Sequence, residues 1–243
     1  MMFDMKRWMP FIGVDLNGVS YQEKLLSVLG GLISISFLIW FSRQVLSPEA
    51  AVPVIASMGS SAVLLFAMPH GPSSQPWPVL AGHGLSALIG VLCARFFGHG
   101  WLSAGCAVGL SIGLMHQLRC LHPPAGATAL TAVIGGEAIH RLGFQFAACP
   151  VLTNAVVMLV LTVAFNWPFV WRRYPVGFSK KKEAPKPSRA VEGDPHQDIV
   201  KALKSIDSFT DVHESDLTEL ARMITREREA WVTAAKSPSQ RSS

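Results

Sequence analysis

From Ala50 to Ala94 the chain carries no Asp, Glu, Lys or Arg, and no acidic residue occurs between Glu49 and Glu137. A water-soluble domain cannot cover its surface with such a stretch, because about a quarter of the residues in ordinary globular domains are charged. Here 15% are charged and 50% hydrophobic, at a mean hydropathy of +0.34. A bilayer core of about 30 Å needs some 20 predominantly apolar residues per helical crossing, and several windows meet that need. The chain is read as an all-α, multi-span integral membrane protein.

The remaining charges fall where membrane topology would place them. Lys6, Arg7 and Lys24 precede the first long apolar run, and Arg172, Arg173 and Lys180, Lys181 and Lys182 follow the last. Basic residues collect on the cytoplasmic side, so both termini are expected there, with a bacterial inner (plasma) membrane as the setting. The net charge of +5 is thereby explained, and no nucleic-acid partner is expected. The cysteines Cys93, Cys106, Cys120 and Cys149 sit in or beside apolar segments without metal-ligand spacing, so they are read as packing residues. Neither a metal nor a cofactor is expected. A polar stretch from Asp15 to Lys24 precedes the first apolar run, which argues against a cleavable signal peptide.

Along the chain, residues 1–24 read as a cytosolic and interfacial lead-in and 25–171 as the transmembrane domain. Four full spans are expected: Leu25 to Ser42, Val79 to Phe97, Trp101 to Leu118, and Phe144 to Val170. Between them lie two broken segments. Ala50 to Met68 contains Pro53, Gly59 and the patch Ser57-Met58-Gly59-Ser60-Ser61, and His122 to Gly136 opens with two prolines. Residues 172–193, rich in Lys, Pro and Ser, read as a linker. In 194–236, Ile199, Val200, Leu203 and Ile206, then Leu217, Leu220, Ile224 and Trp231, fall at helical spacing. They suggest a small cytosolic helical hairpin before a disordered tail at 237–243.

An internal repeat emerges from this order. Gly59-Ser60-Ser61-Ala62-Val63 resembles Gly126-Ala127-Thr128-Ala129-Leu130, and Pro78-Val79-Leu80 matches Pro150-Val151-Leu152. The unit is span, broken segment, span, used twice. Re-entrant broken segments give four spans plus two half-helices and parallel repeats; fully crossing segments give six spans and inverted repeats. The re-entrant arrangement is favoured, since irregular backbone at membrane depth must be buried in protein or line a wet cavity.

Gly/Pro-interrupted segments in matching positions of a repeat point to a transporter-like site near the midplane. Half-helices starting near Ser57 and Gly59 and near His122 would aim free N–H groups and positive dipole ends at a ligand between them. Pro123 and Pro124 cannot donate, which leaves Ala125 and Gly126 as the first donors. Ser60, Ser61 and Thr128 add hydroxyls; His83, His116 and His122 add imidazoles. With no carboxylate nearby, a small anion suits such a site better than a cation. Plainer uses stand beside these. His83 and His116 are also suited to bonding a neighbouring carbonyl, Arg95 and Arg119 to reaching the headgroups, and the hydroxyls to bonding back onto their own helix.

The stretch His122-Pro123-Pro124-Ala125-Gly126-Ala127-Thr128-Ala129-Leu130 resembles the HPP family of integral membrane proteins, named for that motif. Ser57 to Leu65, Gln75-Pro76-Trp77-Pro78-Val79 and Arg173-Tyr174-Pro175 also resemble family blocks, so the similarity runs from roughly Phe11 to Tyr174. The resemblance implies four spans and a transport role, its plant chloroplast members being implicated in nitrite transport. Some members carry a pair of nucleotide-sensing CBS modules after the membrane domain, where this chain has only two expected helices. The leading expectation is a transporter or channel for a small anion such as nitrite, working as a homo-oligomer in the lipid bilayer. The alternative is a membrane sensor or scaffold signalling through its C-terminal helices. An enzyme is not expected, since paired carboxylates, a Gly-x-Ser-x-Gly elbow and a metal-ligand His pair are all missing.

Overall fold

The computed structural model describes residues 19–45 and 48–178, and among them there is helix and turn but no strand. Seven helices follow in chain order: α1 Tyr21–Val45, α2 Pro48–Ala67, α3 Pro76–Phe97, α4 Trp101–Gln117, α5 Ala125–Ile134, α6 Glu137–His140 and α7 Thr153–Asn166. A kinked turn, Ala147–Leu152, leads directly into α7. Among the described residues three stretches are long and apolar enough to cross a membrane, Tyr21–Gln44, Pro76–Phe97 and Ala147–Asn166. The expected third span is the 17-residue α4.

The boundaries follow local chemistry. Pro76 and Pro78 open α3, where a missing N–H costs nothing. At its far end Gly98 takes φ 73°, a backbone state glycine enters without a Cβ penalty. Cys149 leaves the helical region at φ −133° and ψ 115°, because the ring of the following Pro150 disfavours helical backbone in the residue before it.

The first broken segment is not a half-helix. Pro48–Ala67 is one 20-residue helix, roughly 30 Å long at the usual rise, and Ser57 and Gly59 lie in its interior. The helix absorbs part of its own polar patch: Ser57 Oγ donates to Val54 O at 2.9 Å, and Ser57 O lies 3.4 Å from Ser61 Oγ as a second possible acceptor. Pro53 lies in the second turn of the helix and removes one ladder bond there without ending it.

α5 is short, and it lies tightly against α3. A Cβ on Gly90 would come within 2.6 Å of both Ala129 O and Ala132 Cβ, so only glycine permits this crossing. Cys93, Ala107, Ala129 and Val133 fill the space between α3, α4 and α5. A second cluster, including Leu38, Met58, Leu65, Phe66, Met158 and Tyr174, joins α1, α2 and α7. The opposite face of α1, with Val28, Leu32 and Trp40, is exposed, as a lipid-facing surface should be.

At one end the helix termini are clamped by a buried ion pair. Arg172 contacts Glu23 at the start of α1 through Nη1, donates from Nη2 to Phe66 O at the end of α2 at 2.6 Å, and from Nε to Asn166 Oδ1 at the end of α7 at 2.9 Å. Arg172 and Glu23 are both buried, at 1% and 2% exposure. Arg172 is thus not the solvent-facing charge expected of it, and the folded domain continues past Trp171 rather than giving way to a linker there. Tyr174 is buried too, donating from its hydroxyl to Ser74 O at 2.7 Å. Burial pushes its phenol up from the usual range, which keeps it a neutral donor. The expected lead-in at 1–18, the linker after Phe178, the hairpin at 194–236 and the tail at 237–243 lie outside the described residues.

Candidate functional site

Four side chains from three separate pieces of chain meet inside the bundle. Ser61 on α2 touches Nε2 of His83 on α3 at 2.8 Å and Nε2 of His122, just before α5, at 2.9 Å. Thr128 on α5 lies 2.7 Å from His83 Nδ1, and His122 Nδ1 lies 2.8 Å from the carbonyl oxygen of Ser73. The two imidazole centroids are 4.9 Å apart with planes at 63°. All four side chains are buried to 1% exposure or less.

One acceptor orients every proton in the chain. A carbonyl only accepts, so His122 Nδ1 carries a hydrogen and donates to Ser73. With both rings neutral, His122 Nε2 then accepts from Ser61, the Ser61 oxygen accepts from His83 Nε2–H, and His83 Nδ1 accepts from Thr128. The result is a single-file run of hydrogen bonds, Thr128 to His83 to Ser61 to His122 to Ser73, in which each ring nitrogen has a partner.

The backbone is built to hold this cluster at depth. Along α3, His83 is seven residues beyond Pro76, roughly 10 Å at the usual rise. The chain leaving α4 first meets α3 near its start, where Trp77 Nε1 donates to Leu118 O at 3.3 Å. It then turns inward until a Cβ on Gly82 would lie 2.9 Å from His122 Cβ and 3.2 Å from Cys120 O. Gly82 therefore lets this turn press against α3, and His122 begins a helix beside the interior of α3 rather than at its end.

The helix start itself is closed. Ala125 N donates to His122 O at 2.9 Å, Gly126 N to Pro123 O at 3.1 Å and Ala127 N to Pro124 O at 3.1 Å. The first turn winds tightly enough for its N–H groups to reach carbonyls three residues back, as helix ends commonly do. Ala125 and Gly126 are accordingly not free donors, and polar side chains rather than a dipole end furnish the cluster.

Of the residues expected at the site, Ser61, His83, His122 and Thr128 converge, with Ser57 behind Ser61. The others do not join them. Ser60, His116 and Pro123 are exposed, and Gly59 is half-buried with open space where its Cβ would be. Pro124 and Ala125 are buried beside the cluster as backbone support, and Gly126 faces Val108 of α4. Helical geometry explains Ser60, which points about 100° around α2 from Ser61. One member was not legible beforehand, the Ser73 carbonyl, since main-chain acceptors have no sequence signal; away from the cluster, neither was the Arg172–Glu23 pair. Ser61 and Thr128 hold equivalent places in the two similar segments, and both bond the same histidine.

Comparison with known proteins agrees with the membrane setting. The family model described as HPP, transmembrane region, matches residues 16–175. Two Dictyostelium discoideum proteins, each named only as a transmembrane protein, are similar. One is 38% identical over 138 residues, covering 55% of this chain and 48% of the relative. The other is 32% identical over 154 residues, covering 62% and 49%. The chain thus spans about half the length of the curated relatives it matches. No solved structure matches.

Proposed function

The chain belongs to the HPP transmembrane family, and from that premise we propose that it moves a small anion such as nitrite across the membrane by way of the Ser61–His83–His122–Thr128 cluster. The observation that carries this reading is a buried group of imidazoles and hydroxyls, reached by no carboxylate between Glu49 and Glu137. Ionisable residues at membrane depth are costly and by default functional. A hard cation would call for carboxylate or carbonyl oxygens, whereas imidazole N–H and hydroxyl groups suit an anion. The ligand would take the place of the bond between Thr128 and His83 Nδ1, with the Thr128 hydroxyl and a protonated His83 ring supplying the donors.

This reading takes the chain across the bilayer six times, with the two repeats inverted. Support comes from which ends meet. Arg172 joins the start of α1 to the ends of α2 and α7, and His122 reaches the turn between α2 and α3. On the other side His140 of α6 stacks on His99 after α3, with centroids 3.7 Å apart. Both termini then share one side, the basic, cytoplasmic one.

Uptake by proteoliposomes tests the function. His122→Ala is expected to lower nitrite uptake at least about tenfold, since losing about 1.4 kcal/mol of binding already gives that factor. His116→Ala, on the exposed side of α4, should leave uptake unchanged. Nitrite, nitrate and chloride fluxes that never rise above those of empty vesicles would reject the proposal. A sensor or scaffold is the second reading, favoured by the bonds that tie Tyr174 and Arg173 to the turn at 70–75. In that case deleting 193–243 would abolish function while His122→Ala leaves it intact.

The working form in this reading is a homo-oligomer. Gly105, Gly109 and Gly113 lie four residues apart on an exposed face of α4, with open space where each Cβ would be. Such small-residue faces let helices approach closely in lipid. Gly109→Leu is expected to reduce chemically cross-linked dimer in membranes by more than half.

A further inference from the structure

Building on the transport reading above, we infer that the Ser61 hydroxyl passes a proton between His83 and His122, so that each anion crosses together with one proton. Three geometric facts carry this. The two Nε2 atoms both face Ser61 Oγ, at 2.8 and 2.9 Å, within reach of a direct hop. Ser61 Oγ also has an alternative acceptor, Ser57 O at 3.4 Å, so its hydrogen has somewhere to turn when both rings donate. Finally, the Oγ of Ser86, one turn beyond His83 on α3, is fully buried with no hydrogen-bond partner. It places an unbonded hydroxyl one turn farther along α3 from the 72–74 turn than His83.

The step balances as follows. Thr128 turns its hydrogen away from His83 Nδ1, and a proton from hydronium on the far side binds there, giving an imidazolium. The His83 Nε2–H bond breaks as a new Ser61 Oγ–H bond forms, and the original Ser61 Oγ–H bond breaks as His122 Nε2–H forms. One positive charge has moved from His83 to His122, and Ser61 keeps one hydrogen, now directed at His83 Nε2. His122 gives its Nε2 proton to water on the near side as the anion leaves. Rotation of the Ser61 and Thr128 hydroxyls, together with loss of the His83 Nδ1 proton to water on the far side and uptake of one proton on Nε2 from water of that same side, restores the start with one net proton moved.

No fixed charge competes for this proton among the described residues around the pair. α2 presents Ser57 and Ser61, α5 presents Thr128, and the 72–74 turn presents the Ser73 carbonyl. The turn before α5 adds the buried Cys120 thiol, while its Arg119 and the neighbouring His116 of α4 are exposed. Tyr174 engages Ser74 O.

The test uses the full chain in liposomes loaded with a trapped pH-sensitive dye, with nitrate as the probe because its conjugate acid is too strong to carry a proton itself. With acid outside, nitrate entry is expected to acidify the lumen in proportion to uptake. Ser61→Ala should abolish both, and Ser61→Thr, which keeps a hydroxyl, should retain at least half of each. Nitrate entry by the unaltered protein without acidification overturns the relay and leaves the transport reading standing. Acidification without entry of any anion keeps the relay and overturns the transport reading. Equal coupling in Ser61→Ala, folded by circular dichroism, overturns the relay through Ser61.

Discussion

Replacing Arg172 with alanine is expected to cost about 3–5 kcal/mol, the typical loss when one partner of a buried ion pair is removed, and to lower the melting temperature of the purified protein by on the order of 10 °C. The size follows from what remains behind. Glu23, at 2% exposure, would keep only the indole of Trp171, whose Nε1 donates to Oε2 at 3.3 Å. Phe66 O and Asn166 Oδ1 would each lose a donor. Burial pulls the guanidinium below its ordinary range and the Glu23 carboxylate beside it acts in the opposite direction. Arg172→Lys should recover part of the loss, since an ammonium supplies charge but not a planar fork for three partners. The double variant Glu23→Leu/Arg172→Leu should be more stable than Arg172→Ala, because no charge is stranded. A double variant less stable than the single one would refute the clamp.

Gly90→Val is the second large effect. Its Cβ would meet Ala129 O and Ala132 Cβ at 2.6 Å and Ala129 Cα at 3.1 Å, and a helix backbone cannot swing aside as a flexible side chain can. Overpacking costs typically 1–3 kcal/mol, and contact with backbone puts this site at about the upper end. Relief comes only by moving α5 off α3, which pulls Thr128 from His83 and should reduce anion uptake at least about tenfold. Gly59→Ala is the contrast. Open space surrounds that glycine inside α2, so alanine should be neutral or stabilise by up to about 1 kcal/mol through helix propensity. Equal melting curves for the two variants would contradict the packing described for α3 and α5.

These contrasts mark what a sequence can and cannot yield. The Gly59 and Ser60 patch looked like a helix break because Gly and Ser interrupt apolar periodicity. In a bilayer, serine hydroxyls bond back to carbonyls of the same helix, and the ladder runs on. The His122-Pro123-Pro124 turn was legible as a helix start, since two consecutive prolines admit little else. That its N–H groups are already used was not, because the tight first turn is a matter of a few degrees of backbone rotation. His83 and Thr128 were recognisable as polar residues in apolar surroundings, but the order in which they bond was not.

By itself the sequence determined the solvent, the helical class, the depth anomaly at His122 and the acid-free character of the region around it. Each of these depends on composition or on covalent restrictions local to a few residues. Only the tertiary structure decided that α2 is whole, that Arg172 is buried on Glu23, and that Ser61 rather than Ser60 stands between two histidines. Those outcomes depend on how helices rotate and stack against one another, and on a main-chain carbonyl at Ser73 that directs every proton in the file. Distances of that kind arise between residues far apart in the chain, where no local pattern records them.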